Sequence, residues 1–332
     1  MHIAGKSYTR AELLSRCADL SALYGARRVT LTEGKAAGLR AVEVRTAGGL
    51  RCLLAEDRCL DILELDYRGV GLGFLCKNGL VSGLHATAED FWRSWSGGML
   101  ATCGLRNAGP GCTVDGESFP QHGHIGVMPA KNVGVAVDDA AITITGVMRE
   151  SAMFGHCLEL FRTLTIPSGG ASIRIRDEVR NLTSTPEPLL LLYHFNFGFP
   201  FLGEDLTMRF PAGEMRGREA YSQQYADAHM RFSPPIDNEP EQCFFHFADE
   251  KNARVELVNH VLGIKASLLY DSESLPVLTE WKSMQSGDYA LGIEPGTSLL
   301  RGRAGELAEG YSVCVDGYGS RIFEVELSLE SV

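Results

Sequence analysis

Apolar and polar side chains alternate with a period of two through most of the chain between residues 40 and 329. This alternation predicts strands that bury one face. The clearest pair is 157–166 and 171–182, joined by a Pro-Ser-Gly-Gly turn, with the inner face of the second strand marked by Ile173, Ile175 and Val179. Further strands are predicted at 42–44, 51–55, 141–145, 253–259, 262–270, 277–284, 289–294, 311–316 and 321–329. The pattern predicts an all-β, antiparallel sandwich that forms a single domain over residues 1–332.

A few segments depart from this pattern. Thr9 and Glu12 form a capping-box pattern followed by apolar residues at helical spacing, which predicts a helix over 10–24 in an N-terminal extension of residues 1–27. Asn78-Gly79 between two apolar runs predicts a hairpin. Residues 82–134 are rich in glycine and predict a long loop region of functional importance, whereas 203–240 predicts a polar excursion at the surface.

The most apolar strand, over residues 189–200, carries two polar side chains, His194 and Asn196. Their spacing of two places both side chains on one face of the strand. Because a buried polar group costs free energy unless it is paired, this face must look onto polar partners or onto a cavity. His194 is therefore either a residue of a functional site or a core histidine whose hydrogen bonds are satisfied.

The net charge of −11 argues against nucleic acid or an anionic membrane as a partner and fits a small ligand with little negative charge. No run of 18 apolar residues predicts a membrane span, and the N-terminus has no apolar stretch typical of a signal peptide. Nine cysteines without a C-x-x-C pair favour reduced thiols and a cytoplasmic location. The sequence does not indicate an oligomeric state.

Two more clusters could take part in chemistry. His122 and His124 lie two residues apart in the glycine-rich region, so either a metal site or an exposed loop pair is consistent with them, and no further ligand follows at suggestive spacing. Glu294 ends an apolar strand, a suitable position for acid–base catalysis, although a solvated turn residue is the alternative. Near it in sequence, Trp281 could stack on a sugar, or it could be a core residue.

Five short stretches, in this order, resemble the aldose 1-epimerase (galactose mutarotase) superfamily, and most closely its branch of domains of unknown function. They are Glu56–Ile62, Gly97–Leu105, His122–Ile125, Tyr193–Gly198 and Gly292–Thr297. The resemblance implies a β-supersandwich with a sugar site on a concave sheet. It also implies a free sugar or sugar derivative as the substrate, with no cofactor or metal.

The resemblance also implies roles for individual residues. His194 matches the general acid, Glu294 the general base, and His122 a histidine that assists at the ring oxygen. The asparagine–arginine pair that holds substrate in mutarotases has no clear match, but Arg106-Asn107 offers the same groups in reverse order. His124 stands where the related branch tends to have arginine. We also expect substrate contacts from Asn196, Trp281 and Lys282.

Three other functions are compatible with the same residues. Glu294 could remove a proton from carbon in another sugar epimerase or isomerase. His194 and Asn196 could only hydrogen-bond a sugar in a binding protein without turnover. A metal enzyme could use His122 and His124.

Overall fold

The computed structural model describes residues 1–3 and 6–332. Two large antiparallel sheets dominate the fold. The first, the front sheet, has six strands in the spatial order Leu100–Cys103, Leu192–Gly198, Asp288–Gly296, Val277–Gln285, Gln242–Ala248 and Gly213–Gly217. The second, the back sheet, has eight strands in the order Lys131–Val137, Ala141–Ser151, Cys157–Pro167, Ser172–Asn181, Ser320–Ser331, Ile264–Asp271, Asn252–Asn259 and Leu206–Arg209.

A third sheet of five strands lies near the N-terminus, with the strands Gly25–Thr30, Arg40–Arg45, Leu50–Ala55, Asp61–Tyr67 and Val70–Gly71. Two-stranded pairs complete the β structure: His2–Ile3 with Lys6–Ser7, Phe74–Leu75 with Gly97–Gly98, Cys112–Val114 with Glu117–Phe119, and Glu187–Pro188 with Cys314–Val315. Only about a tenth of the chain is helical. The all-β, mutarotase-like sandwich predicted from the sequence is therefore confirmed.

The helices are short. The α-helices are Arg10–Leu14, Phe91–Ser94, Ala220–Gln223 and Gly302–Ala308, and the 3₁₀ turns are Leu20–Ala22, Gly34–Ala36, Ile125–Val127 and Ala226–Ala228. None of the helices in the described part of the chain is long and apolar enough to cross a membrane.

The main core lies between the sheets and is built from side chains that alternate along each strand. Tyr193, Phe195 and Phe197 point inward from the front sheet, and Ile173, Ile175 and Val179 point inward from the back sheet, as their alternation predicted. The predicted hairpin of 157–166 and 171–182 is present as Cys157–Pro167 and Ser172–Asn181. Because side chains alternate, Leu192, His194 and Asn196 turn to the opposite, outer face of the front sheet.

A buried ionic network connects three sheets beneath the strand Leu192–Gly198, which we call the central strand. Arg162 of the back sheet is 0% exposed and donates hydrogen bonds to Asp177 at 2.7 Å and Asp61 at 2.9 Å. It also donates to the hydroxyl of Thr102 in the front sheet, and the Tyr193 hydroxyl donates to Asp177. These bonds satisfy charges that would be very costly to bury alone.

Several sequence predictions were wrong. The capping box of Thr9 and Glu12 is present, but the predicted helix over 10–24 ends at Leu14. Only Leu13 of that helix is buried, so little apolar packing extends it, and Asp19 begins a separate 3₁₀ turn. The predicted strand 311–316 shrinks to Cys314–Val315, and the helix Gly302–Ala308 was not predicted.

The hairpin predicted at Asn78-Gly79 is also wrong. The strand before it, Phe74–Leu75, pairs with Gly97–Gly98 instead. The Asn78 side-chain amide donates hydrogen bonds to the carbonyl oxygens of Trp92 and Trp95, so Asn78 attaches its turn to a distant segment. A tertiary contact therefore overrides the local turn preference.

Candidate active site

A cleft on the outer face of the front sheet brings together residues from three adjacent strands. His194 comes from the central strand, Glu294 from its neighbour, and Thr279 and Trp281 from the next strand. The alternation of side chains along each strand explains why these four share one face. His122 reaches the same cleft from the loop that follows the front-sheet strand Leu100–Cys103.

His194 and Glu294 form the floor of the cleft. Nε2 of His194 lies 3.2 Å from Oε1 of Glu294, and the two residues are 7% and 1% exposed. Burial lowers the pKa of His194 to about 3, reinforced by the nearby His122 and opposed by Asn196. Burial also raises the pKa of Glu294 well above its usual range, helped by the negative charge of Glu241 and opposed by Arg218. Both groups are therefore favoured in their neutral forms in the free site.

The backbone around His122 decides which of its ring nitrogens carries the proton. Its φ of 57° lies in the left-handed region, which turns the chain sharply at this position. The backbone N–H of Gly109 donates to Nδ1 at 3.4 Å, so neutral His122 carries its proton on Nε2. Burial lowers the pKa of His122 to about 4. His122 is thus a neutral hydrogen-bond donor whose ring centroid lies 5.9 Å from that of His194.

Aromatic side chains form the walls. All three tryptophans of the chain, Trp92, Trp95 and Trp281, line the cleft together with Phe91. The rings of Trp95 and Trp281 both lie 5.5 Å from that of His194. Trp92 is 74% exposed at the rim. Flat apolar faces around a polar floor suit a ligand such as a sugar ring, which has both apolar C–H faces and hydroxyl groups.

Arg218 and Glu241 are cleft residues that the sequence did not reveal. They pair at 3.1 Å, and Glu241 also accepts a hydrogen bond from the indole N–H of Trp281 at 2.8 Å. Both lie in or beside the segment 203–240. The prediction that this whole segment is a surface excursion is wrong, because Leu206–Arg209 and Gly213–Gly217 within it are edge strands of the two large sheets. No sequence signal singles out Arg218 or Glu241, because the strand Gly213–Gly217 that precedes Arg218 was itself not predicted.

Asn196 and Lys282 do not line the cleft. Asn196 shares the His194 face but is completely buried, and its amide donates to the carbonyl oxygens of Gly98 and His194. Lys282 follows Trp281 by one residue, so strand alternation turns it to the opposite face. Its ammonium group donates to the carbonyl oxygens of His229 and Arg231. The expectation that Lys282 contacts substrate is corrected by this placement.

Arg106 and His124 also lie outside the cleft. Arg106 is buried in ion pairs with Glu117 and Glu187, and Asn107 donates to backbone carbonyl oxygens in the loop that leads to His122. His124 sits near Glu150 and Glu89, whose carboxylates raise its pKa. The sharp turn at His122 explains why two histidines at a spacing of two do not face one cavity. Among the described residues, they belong to no group of potential metal ligands.

Gly292 provides space for the Glu294 carboxylate. A Cβ atom added at Gly292 would lie 2.2 Å from Oε1 of Glu294. We expect Gly292→Ala to displace this carboxylate and to slow any reaction that uses it at least about tenfold, because small misplacements of reacting groups are costly. Gly203→Ala is the control, since an added Cβ meets nothing within 4 Å there. Steady-state rates together with urea unfolding would show whether activity falls while stability is retained; an unchanged rate would contradict this role for Gly292.

A family model described as a domain of unknown function, DUF4432, matches residues 36–329. The chain belongs to this family. The match covers the front sheet, all but the last two residues of the back sheet, and every residue of the cleft described above. No curated protein matches the sequence.

Solved structures place this DUF4432 chain among aldose 1-epimerase and mutarotase-like folds. A Klebsiella pneumoniae protein provisionally named an aldose 1-epimerase is 24% identical, with 93% of this chain and 88% of that chain covered and a TM-score of 0.85. A galactose mutarotase-like protein from Clostridium acetobutylicum is 16% identical (94% and 100% covered, TM-score 0.68). Galactose 1-epimerase from Lactobacillus acidophilus is 12% identical (93% and 99% covered, TM-score 0.62). The resemblance seen in the sequence is confirmed, and it establishes the fold.

Proposed function

We propose that this protein interconverts the anomers of a free sugar or sugar derivative by acid–base catalysis with His194 and Glu294. The observation that carries the proposal is the His194–Glu294 pair, buried 3.2 Å apart at the floor of an aromatic cleft. The mutarotase-like neighbours support the same reaction class.

The reaction needs one acid and one base. Opening a pyranose hemiacetal removes a proton from the anomeric hydroxyl and supplies a proton to the ring oxygen. The ring then closes on either face of the aldehyde, which gives both anomers. Two positioned groups that each transfer a proton typically contribute ~10²–10⁴ in rate apiece.

The buried pair holds one proton for this task. In the free site, the proton is favoured on Glu294, and His194 is neutral. Moving the proton across 3.2 Å to Nε2 of His194 gives a carboxylate and an imidazolium with the same total charge. In that form, Glu294 accepts the anomeric proton and His194 donates to the ring oxygen. No proton has to be exchanged with solvent.

His122 and the cleft walls orient the sugar. The Nε2–H of His122 donates a hydrogen bond toward the ring oxygen, which stabilises the negative charge that develops there. Trp95 and Trp281 hold the apolar faces of the ring, and Arg218 and Glu241 offer a donor and an acceptor for hydroxyl groups. Because the charges of Arg218 and Glu241 offset each other, the cleft favours an uncharged sugar.

Polarimetry tests the proposal directly. Freshly dissolved α-anomers of a panel of aldoses should reach rotational equilibrium faster with enzyme than without it, and ¹H NMR of the anomeric protons should show the same rates. The matched control is the His194→Gln, Glu294→Gln double variant at the same protein concentration. A parent protein that binds sugars but accelerates none of them would contradict the proposal and favour a carbohydrate-binding protein.

The binding alternative rests on a specific observation. The tryptophan walls and the Arg218–Glu241 pair would hold a sugar even without proton transfer. Calorimetry separates the two functions, because a binding protein loses affinity in Glu294→Gln, whereas an enzyme loses rate. Epimerisation at a carbon centre would instead exchange a C–H proton for deuterium in D₂O.

The pH profile should lack the usual histidine limb. Because burial lowers the pKa of His194 to about 3 and that of His122 to about 4, both stay neutral as the pH falls through ~6.5, where an ordinary histidine takes up a proton. We therefore expect no histidine-dependent loss of kcat/KM as the pH falls from 7 to about 5. The loss at low pH should begin only near pH 4. If kcat/KM, taken from initial rates, fell to half near pH 6.5 on acidification, the assignment of His194 and His122 as neutral groups would be wrong.

We infer a cytoplasmic protein, because the nine cysteines, all within the described ranges, are free thiols. The proposed ligand is a small carbohydrate, and the net charge of −11 disfavours nucleic acid. We propose that the two large sheets and the N-terminal sheet act as a single domain, because one hydrophobic core joins them.

A further inference from the structure

A second cluster of ionisable side chains lies on the other face of the strand that carries Trp281. Glu280 is 0% exposed. One of its carboxylate oxygens, Oε2, lies 2.7 Å from Nδ1 of His229 and 3.0 Å from Nε2 of His246. His246 lies on the neighbouring strand, Gln242–Ala248. His229 lies in the segment that connects the strand Gly213–Gly217 to Gln242–Ala248. The cluster is separate from the cleft, because strand alternation directs Glu280 away from it.

The charge of Glu280 lacks an ordinary counter-ion. Among the described residues, no lysine or arginine lies within 4.0 Å of its carboxylate, and its other oxygen, Oε1, is buried without a hydrogen-bond partner. Lys282 is the nearby cation, but its ammonium group is turned onto the carbonyl oxygens of His229 and Arg231. An uncompensated buried carboxylate is strongly destabilising. The charge is neutralised either by a proton, on the carboxyl group or on an imidazole, or by a metal cation.

The donor set has the composition of a transition-metal site. One ligand atom from each of the three residues lies within 4.8 Å of the other two. Two imidazoles and one carboxylate bind Zn²⁺ in many proteins, with a water molecule as the fourth ligand. Ligand atoms around zinc lie about 3.4 Å apart, so each short contact to Oε2 would lengthen by less than about 1 Å.

Neighbouring groups already fix the ligands. The Phe210 ring stacks on His246 at 4.0 Å with an interplanar angle of 9°, which sets the plane of that imidazole. Phe244 packs against His229 at 5.6 Å. The Lys282 ammonium group donates a hydrogen bond to the backbone carbonyl oxygen of His229 and so holds this residue in place. Orientation by such surrounding contacts, within an apolar shell, is typical of metal centres.

We propose that His229, His246 and Glu280 bind one divalent transition-metal ion, with Zn²⁺ as the best fit. The ion takes the place of the hydrogens on Nδ1 of His229 and Nε2 of His246 and supplies the missing positive charge. Each neutral imidazole then carries its proton on its other ring nitrogen, and any excess proton passes to solvent. The ion also joins the segment that contains His229 to two strands of the front sheet. The site lies on the face away from His194 and Glu294, so the ion takes no part in the proposed sugar chemistry.

Metal titration of the full chain tests this site. The protein is stripped with a chelator, and ZnCl₂ or CoCl₂ is then added while bound metal, thermal unfolding and the visible spectrum are measured. We expect about one Zn²⁺ per chain, a rise in the unfolding midpoint on adding metal, and cobalt absorption bands typical of nitrogen and oxygen ligands. Glu280→Gln and His246→Gln should each weaken zinc binding at least about 100-fold. His260→Gln, at an exposed histidine, is the matched control and should bind normally.

The outcomes are decisive in both directions. Wild-type protein that takes up no stoichiometric zinc or cobalt overturns the proposal and leaves the cluster as a hydrogen-bonded His–Glu–His group. Stoichiometric metal that persists in both variants overturns it as well, because the ion then lies elsewhere. If Glu280→Gln does not fold, His229→Gln at the edge of the cluster and the wild-type cobalt spectrum give the answer. None of these measurements depends on sugar turnover.

Discussion

Glu294→Gln should slow anomer interconversion by ~10²-fold or more while leaving sugar affinity nearly unchanged. Glutamine keeps the shape and can hydrogen-bond a hydroxyl group, but it cannot accept a full proton. Since Glu294 is favoured as a neutral acid in the free site, a neutral amide should also be tolerated by the fold. Rates would come from polarimetry and affinities from calorimetry on the same samples.

Two comparisons make this experiment specific. Glu241→Gln changes a carboxylate in the same cleft that pairs with Arg218 and Trp281, and it should weaken binding more than the chemical step. His194→Gln should resemble Glu294→Gln, and the double variant should lose much less than the product of the two effects, because the pair acts as a unit. Undiminished turnover in Glu294→Gln would remove Glu294 from the mechanism.

Arg162→Met should lower the free energy of unfolding by about 3–5 kcal/mol. Methionine replaces the aliphatic part of the arginine side chain, but it leaves Asp61 and Asp177 buried without their shared counter-ion, and it removes the link among three sheets. This loss would approach half the total stability of a typical domain. Urea unfolding followed by tryptophan fluorescence measures the change.

Arg176→Met on the same sheet is the matched control. Arg176 and its partner Glu324 are 41% and 50% exposed and stand 3.6 Å apart. Exposed pairs of this kind contribute about 0–1 kcal/mol, so the control should unfold at nearly the parental midpoint. Equal losses in the two variants would show that the buried network has no special importance for stability.

The sequence predicted the sandwich because most of its strands alternate apolar and polar residues, a pattern that can be seen in each strand without knowledge of distant contacts. The hairpin of Cys157–Pro167 and Ser172–Asn181 alternates apolar and polar residues and is joined by a turn rich in glycine and proline. The failures occur where distant contacts decide the structure. Asn78 anchors to Trp92 and Trp95 rather than closing a hairpin, and the residues after Leu14 lack an apolar partner that would extend the helix.

The candidate site divides in the same way. The family resemblance suggested that His194 and Glu294 share a site, and the pairing of their strands explains why they lie on one face with Trp281. The alternation of side chains along a strand, applied strictly, would have turned Lys282 away from Trp281. Arg218 and Glu241 stayed hidden because they come from a segment without periodicity, so only the folded chain brings them to the cleft.

The cleft combines two parts of different origin. Its floor belongs to adjacent hydrogen-bonded strands, whereas Phe91, Trp92 and Trp95 belong to a short helix and the residue after it, outside the large sheets. Substitutions in that helix can reshape the rim without disturbing the strands that hold His194 and Glu294. Under the proposed function, homologous proteins could therefore differ in sugar specificity through a few substitutions at the rim and keep the same acid–base residues. Protein engineering could likewise replace the rim residues and leave the strands of the floor unchanged.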